Sequence, residues 1–277
     1  DGIYMGYRYF DSFDVETEYC FGFGRSYTEF ELKAGEISVN GNEVQVPVEV
    51  KNIGSKYAGK EVVQVYYSAI GGEIDKPYQE LAAYKKTKLL APGESEQLVL
   101  TYPVSQMASY SEKEAAWVLE QGEYVIRVGN SSASTVAAGV AEVKESVKTV
   151  IAKNLFALDV ELEEIRPDAG KLAAKKQASV GADVKRVVVD TAAIPTQTVV
   201  YQGEREEYHT DKTEKITMQD ILSGKATVEE LVAQLTVDEM AQFCVGTLRA
   251  DSGTIVGNAS YTVPGAAGDT SSVCRES

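Results

Sequence analysis

Histidine, tryptophan and cysteine are scarce in this 277-residue chain, at one, one and three copies. A zinc centre built on two or three histidines is therefore excluded by counting. A Ser-His-Asp or Cys-His site would have to use His209. That residue sits among Glu206, Glu207 and Asp211, with no G-x-S-x-G nucleophile motif to serve. A solvent-exposed histidine is the expectation. Cys20, Cys244 and Cys274 lie far apart and show no metal-ligand spacing. Their odd number leaves at least one thiol free, which fits a reducing, cytoplasmic compartment. No apolar run approaches ~18 residues, so no membrane span is expected, and no signal peptide opens the chain. Basic residues are outnumbered 42 to 27, giving a net charge of −15. That balance argues against nucleic acid, whose phosphates need a basic face, and against anionic membranes. Neutral or cationic ligands fit better. Cofactor motifs are missing too. Gly22-Phe23-Gly24 lacks the third glycine of a dinucleotide fingerprint, and Gly265-Ala266-Ala267-Gly268 lacks the lysine of a phosphate loop. Both are expected to serve close backbone packing, and no cofactor is implied.

What is present is a long β-patterned stretch. Residues 1–28 are dense in aromatics and glycine without a dominant period, and are expected to form an irregular strap against a neighbouring domain, because aromatics at this density need burial. From Glu29 the pattern alternates. Phe30 and Leu32 face one way, Ile37 and Val39 follow, and Asn40-Gly41-Asn42 signals a tight hairpin. Val44, Val46, Val48 and Val50 then line one face of a strand. Pro47 lacks an N–H and predicts an edge position for it. Residues 62–67 read as a central strand with both faces apolar. Residues 81–90 read as a strand pair. Ala91-Pro92-Gly93-Glu94 is a turn, Leu98, Leu100 and Tyr102 alternate, and residues 117–120 precede a turn at Gln121-Gly122-Glu123. Tyr124, Ile126 and Val128 share a face, and residues 136–143 close the series. About seven short, evenly spaced strands with turn chemistry between them predict a β-sandwich. Tyr124 could be a tyrosine corner or an ordinary core-facing tyrosine. No cysteine pair bridges the sheets, which disfavours an antibody-type domain.

Residues 146–215 predict a connector with two or three strands, drawn from four β-like runs at 149–151, 157–162, 184–189 and 198–201. The small, lysine-rich run 169–181 reads as an exposed loop. Helices come late. Residues 216–222 form a short one stopped at Gly224. Thr227-Val228-Glu229-Glu230 and Thr236-Val237-Asp238-Glu239 are capping boxes. Leu231, Leu235, Met240 and Phe243 supply apolar faces, and Gly246 a stop. Paired carboxylates for glycoside chemistry cannot be selected among 42 acids; Glu61, Glu73, Asp75 and Glu80 lie near loops. Tyr66, Tyr67, Tyr78 and Tyr84 could stack on sugars, although their alternation favours sheet packing. Asn130-Ser131-Ser132 and Asn258-Ala259-Ser260 match the glycosylation triplet.

Gly2-Ile3-Tyr4-Met5-Gly6-Tyr7-Arg8-Tyr9-Phe10-Asp11, followed by Phe21-Gly22-Phe23-Gly24-Arg25-Ser26-Tyr27-Thr28, resembles the entry to the fibronectin type III-like domain of glycoside hydrolase family 3. The family pattern is P-F-G-[FY]-G-L-S-Y-T; here Cys20 replaces the proline and Arg25 the leucine. Asn52-Ile53-Gly54, residues 59–67, Pro92-Gly93-Glu94 and residues 122–129 extend the likeness. Residues 227–246 and 263–270 are similar to the start of the family's (β/α)₈ barrel. That order resembles the rearranged bacterial β-glucosidases, built as α/β sandwich, fibronectin-like domain, then barrel. The resemblance implies four segments: residues 1–28 a strap from a preceding α/β sandwich domain, 29–145 the fibronectin-like sandwich, 146–215 the connector and 216–277 the incomplete start of the barrel. It implies retaining hydrolysis of terminal β-linked glucosyl residues by the parent. It carries over no catalytic, cofactor-binding or metal residue, because the family's positions for these have no match here. The implied partners are the remaining α/β sandwich and barrel domains and an oligosaccharide substrate, with self-association through unpartnered apolar surface. A stand-alone sugar-binding or adhesive module is the alternative.

Overall fold

The structure is a computed structural model and describes residues 2–155, 159–160, 162–181, 184–201 and 207–245. It divides into two units, Asp1–Val200 and Tyr201–Ser277. In the first, α1 (Tyr7–Phe13) precedes β1 (Phe30–Ala34), β2 (Ser38–Asn40), β3 (Glu43–Asn52), β4 (Val62–Ile70) and β5 (Glu80–Lys86). Then come β6 (Ser95–Pro103), β7 (Ser109–Ser111), β8 (Ala116–Leu119), β9 (Gly122–Gly129), β10 (Val136–Val143) and β11 (Val147–Ile151), followed by α2 (Ala169–Ala178), β12 (Arg186–Val189) and β13 (Gln197–Thr198).

Strand β3 organises one sheet. Both β1 and β2 pair along one side of it, and β6 along the other, all antiparallel. The opposing sheet runs β12-β10-β9-β4-β5. The alternation of β3 works as the sequence predicts: Val44, Val46, Val48 and Val50 are fully buried. They meet Leu98, Leu100 and Tyr102 of β6, Val63, Val65 and Tyr67 of β4, and Tyr124, Ile126 and Val128 of β9. Each such side chain stabilises the fold by roughly 1.5–3 kcal/mol through its removal from water. A third, smaller sheet, β13-β11-β8-β7, lies beside these two.

The Asn40-Gly41-Asn42 hairpin forms as read, with Asn40 opposite Glu43 and Gly41 at φ +57°. The edge position inferred from Pro47 is incorrect, since β3 is flanked on both sides. The missing N–H falls where the neighbouring chain crosses from β1 to β2. There Gly35–Ile37 interrupt the ladder, and the Pro47 carbonyl accepts from Gly35 N at 2.8 Å. N–H and C=O of one strand residue point to the same side, so the proline sits at the one gap that needs no donor. Tyr124 is a tyrosine corner: its hydroxyl donates to the Glu120 carbonyl, four residues back, at 3.0 Å. Residues 81–90 hold one strand, not a pair: β5 ends at Lys86, and Leu90 forms only an isolated bridge with Gly59.

Two further readings change. Residues 169–181 are not an exposed loop but contain helix α2. Asp168 caps it by accepting from Lys171 N at 2.8 Å, and its alanines, lysines, leucine and glutamine are strong helix formers. Leu172 and Lys176 are buried. The strap is also not wholly irregular, because α1 forms within it. The connector adds the parallel strand β12 to the edge of the second sandwich sheet, and β11 and the parallel β13 to the third sheet; the first unit runs to Val200. Residues 157, 158 and 161 of the candidate strand at 157–162 lie outside the described residues.

In the second unit lie α3 (Met218–Leu222), α4 (Val228–Ala233) and α5 (Val237–Val245). Both predicted capping boxes close: Thr227 with Glu230, and Thr236 with Glu239. Thr217 and Asp220 form a third at α3 that the reading missed. Gly246, Cys274, the glycine loop at 265–268 and the triplet at Asn258 lie outside the described residues, as do the side chains of Phe243 and Cys244.

Candidate functional site

The most heavily built surface of the first unit is the outer face of β4 and β9. Their inward residues fill the core, yet Gln64, Tyr66 and Ser68 of β4 and Arg127 of β9 are buried as well. Two segments distant in sequence cover them. From the N-terminal side, Tyr7 sets its ring edge-on to Tyr66 and stacks on Phe21. Its hydroxyl accepts from Leu81 N at 2.9 Å. Ser12 Oγ accepts from Tyr78 N at 2.8 Å, and Asp11 accepts from Gln79 Nε2 at 2.9 Å. Gly22 has φ +81°, and a Cβ there would lie 2.4 Å from Gln64 Nε2, so only glycine lets the strap approach this closely.

From the connector, α2 lays Lys175, Lys176 and Ser179 on the same face. Arg127 Nε donates to Ser68 Oγ at 2.9 Å, and its Nη2 to Ser179 Oγ. The cations of Arg127 and Lys175 each lie over the Tyr78 ring, 5.0 and 4.4 Å from its centroid. Lys175 Nζ reaches across to the strap, donating to the Asp11 carbonyl at 2.6 Å and pairing with Asp14. The two coverings are thus fastened to each other.

Burial sets the electrostatics here. It pushes the Asp11 carboxyl up, against the opposing pull of Gln79 and Lys175. It pulls Arg127 down. It lowers Lys176 to about 8, with the nearby Lys76 charge adding to the effect. Lys176 Nζ has the Lys76 carbonyl at 3.1 Å, while the Lys76 ammonium pairs with the largely buried Glu120 carboxylate.

A second feature is a cleft of ≈ 460 Å³ between the N-terminal end of the strap and the β7–β8 hairpin. Tyr67 and Glu80 form its inner wall. The Tyr67 hydroxyl donates to Glu80 Oε2 at 2.9 Å, and Arg8 Nη1 approaches Glu80 Oε1 at 3.4 Å. Tyr4 is buried and donates to Asp75 Oδ1 at 2.6 Å. At the mouth, Tyr110 and Trp117 are cross-strand neighbours with ring centroids 5.8 Å apart.

These placements settle where the singled-out residues stand. Of the four tyrosines considered for stacking, Tyr66 and Tyr67 are buried, Tyr78 is occupied by the cations of Arg127 and Lys175, and Tyr84 alone is exposed. Glu80 and Asp75 enter the cleft; Glu61 binds the Asn130 amide at 3.1 Å and Glu73 lies outside it. That contact ties up the asparagine of the described glycosylation triplet, whose Ser132 is buried. His209 is exposed beside Glu207. Sequence reasoning missed the Tyr110–Trp117 pair. Its signal was one aromatic on each arm of a short hairpin, readable only once the register is known.

A covered β-sandwich with a tyrosine corner defines a fibronectin-like module, and comparison with known proteins agrees. The fibronectin type III-like domain family matches residues 61–132. A β-glucosidase of Kluyveromyces marxianus is 38% identical over 133 residues, 48% of this chain and 16% of that protein. A β-glucosidase of Ruminococcus albus is 33% identical over 253 residues, 87% of this chain and 24% of that protein. The crystal structure of a β-glucosidase from Paenibacillus barengoltzii superposes with a TM-score of 0.61 at 32% identity, covering 91% of this chain and 28% of that one. This chain is β-glucosidase-like and corresponds to a portion of glycoside hydrolase family 3 that includes its fibronectin type III-like domain. It spans about a quarter or less of the length of these curated relatives.

Proposed function

We propose that this chain is a non-catalytic, structural portion of a larger family 3 enzyme whose other domains carry out retaining hydrolysis of terminal β-linked glucosyl residues. Its role is to hold the chain segments that flank the sandwich in a set geometry, so that the α/β sandwich and barrel domains meet correctly. One observation carries this reading. The strap before the sandwich and the helix after it are fastened to the same sheet face and, through Lys175 with Asp11 and Asp14, to each other. A module that only bound a ligand would have no need to join its entry and exit segments.

Some of the strap's aromatics are used on the sandwich. Others, including Tyr19, Phe23 and Tyr27, stay exposed. Their role is to receive a neighbouring domain, and in its absence they drive self-association. A reducing, cytoplasmic setting belongs to the same reading, supported by Cys20, a thiol outside any disulfide. The test compares two polypeptides on an aryl β-glucoside: this chain alone, and the chain with the full set of family domains. The chain alone should release no product and the complete protein should release it with retention of anomeric configuration. Hydrolysis by the purified 277-residue chain, free of contaminating glucosidase, would overturn the proposal.

A further inference from the structure

The cleft beside the β7–β8 hairpin has no part in the fastening just described. Its composition is specific. Tyr110 and Trp117 present rings at the mouth, both partly exposed at 36% and 45%. Their pairing across β7 and β8 holds them on the same side of the hairpin. Planar charged groups line the same cleft. Asp75 is anchored by Tyr4, Glu80 by Tyr67 and Arg8, and Arg166 is paired with Glu164 at 3.6 Å. The Asp75 and Glu80 carboxylates are therefore held in place before any ligand arrives, which lowers the entropy cost of binding. The volume lies within the roughly 300–1,000 Å³ typical of small-molecule sites.

Two chemistries meet here. Aromatic faces take an apolar, polarisable surface. Anchored carboxylates and guanidinium groups make charge-assisted hydrogen bonds with hydroxyls. A ligand that needs both must carry an apolar face and a polar rim, as a pyranose ring does with its axial C–H groups and equatorial hydroxyls. An anion is disfavoured, because Asp75, Glu80, Glu112 and Glu164 outnumber Arg8 and Arg166. A purely apolar ligand would leave these charged groups desolvated without partners. We propose that this cleft is an accessory, non-catalytic binding site for a neutral glycosyl unit, with Trp117 and Tyr110 as the stacking platform and Asp75 as a hydroxyl acceptor. The site stands on its own geometry; only the choice of β-glucosyl probes rests on the function proposed above.

Trp117 is the chain's single tryptophan, so its fluorescence reports on this cleft alone. The 277-residue chain is titrated with cellobiose and cellotriose, with maltose and tetramethylammonium as comparators. A saturable change in emission with a β-glucoside is expected. Tyr110→Ala and Asp75→Asn should each weaken it by about fivefold to tenfold, the size of one stacking or charge-assisted contact. Trp117→Phe, followed by calorimetry, keeps an aromatic ring and should retain binding, while Trp117→Ala should abolish it. Circular dichroism and the melting temperature establish that each variant folds. A linear, non-saturable response to every sugar would overturn the proposal. So would saturation by tetramethylammonium alone, which would mark an aromatic cage for cations, or sugar binding indifferent to Tyr110→Ala and Asp75→Asn. These outcomes are independent of the hydrolysis comparison, so failure of one reading does not decide the other.

Discussion

Replacing Lys176 by methionine tests how α2 is held on the sandwich. Lys176 is 6% exposed, and burial lowers its ammonium from the usual 10.5 to about 8. Around it face the Lys76 ammonium, which lowers it further, and the Asp75 and Glu80 carboxylates, which oppose that. At pH 7 the folded chain must keep a proton there that it holds less tightly than the unfolded chain does. The gap between 10.5 and about 8 is a penalty on the order of 3 kcal/mol. The methionine side chain would keep most of the buried stem and remove the charge. It would also remove the bond to the Lys76 carbonyl, costing about 1 kcal/mol. Lys176→Met should therefore stabilise the first unit by about 2 kcal/mol at pH 7. The sign depends on pH. A base whose folded value is depressed burdens the fold fully below that value, and the burden fades as pH rises from about 8 to 10.5. Near the upper end of that window the gain should vanish or turn into a small loss. Urea denaturation followed by Trp117 emission, at pH 7 and again near pH 10, reads both numbers. A stabilisation equal at the two pH values, or a clear loss at pH 7, would refute the account of a strained buried cation.

The unsubstituted chain should show the matching profile: stability rising with pH above about 8, then falling above ~10. There Tyr4, Tyr66, Tyr67, Tyr102 and Tyr124, all raised by burial, ionise in the unfolded chain while the fold keeps them protonated. A pH series of urea midpoints would show it, and a flat profile would count against both sets of shifts. Tyr124→Phe should cost about 1–1.5 kcal/mol by removing the bond to the Glu120 carbonyl, with the slope of the urea transition unchanged. Gly22→Ala places a Cβ at φ +81° against Gln64 and should destabilise by roughly 1–3 kcal/mol. Unchanged stability in that variant would mean the strap does not rest on β4.

The sandwich was legible because its signals are local. Alternation along Val44, Val46, Val48 and Val50 assigns a buried face without knowledge of the partner, and Gly41 or a capping threonine acts within three residues. Pro47 misled because an absent N–H marks a gap in pairing, and a gap can lie inside a sheet as well as at its edge. The run 169–181 misled because its lysines read as solvent-facing. Lys175 and Lys176 instead meet a carboxylate, an aromatic ring and backbone carbonyls supplied from residues 11–14 and 76–78.

By itself the sequence determined the fibronectin-like scaffold, its inward-facing residues and the helix starts near the C-terminus, since period, turn chemistry and capping are written in neighbouring residues. Only the tertiary structure decided that strap and connector close over one sheet face, that a lysine is buried there, and that Trp117, Tyr110 and Asp75 share a cleft. Those facts depend on register and packing between segments as far apart as Asp11 and Lys175, and no local pattern encodes such a distance.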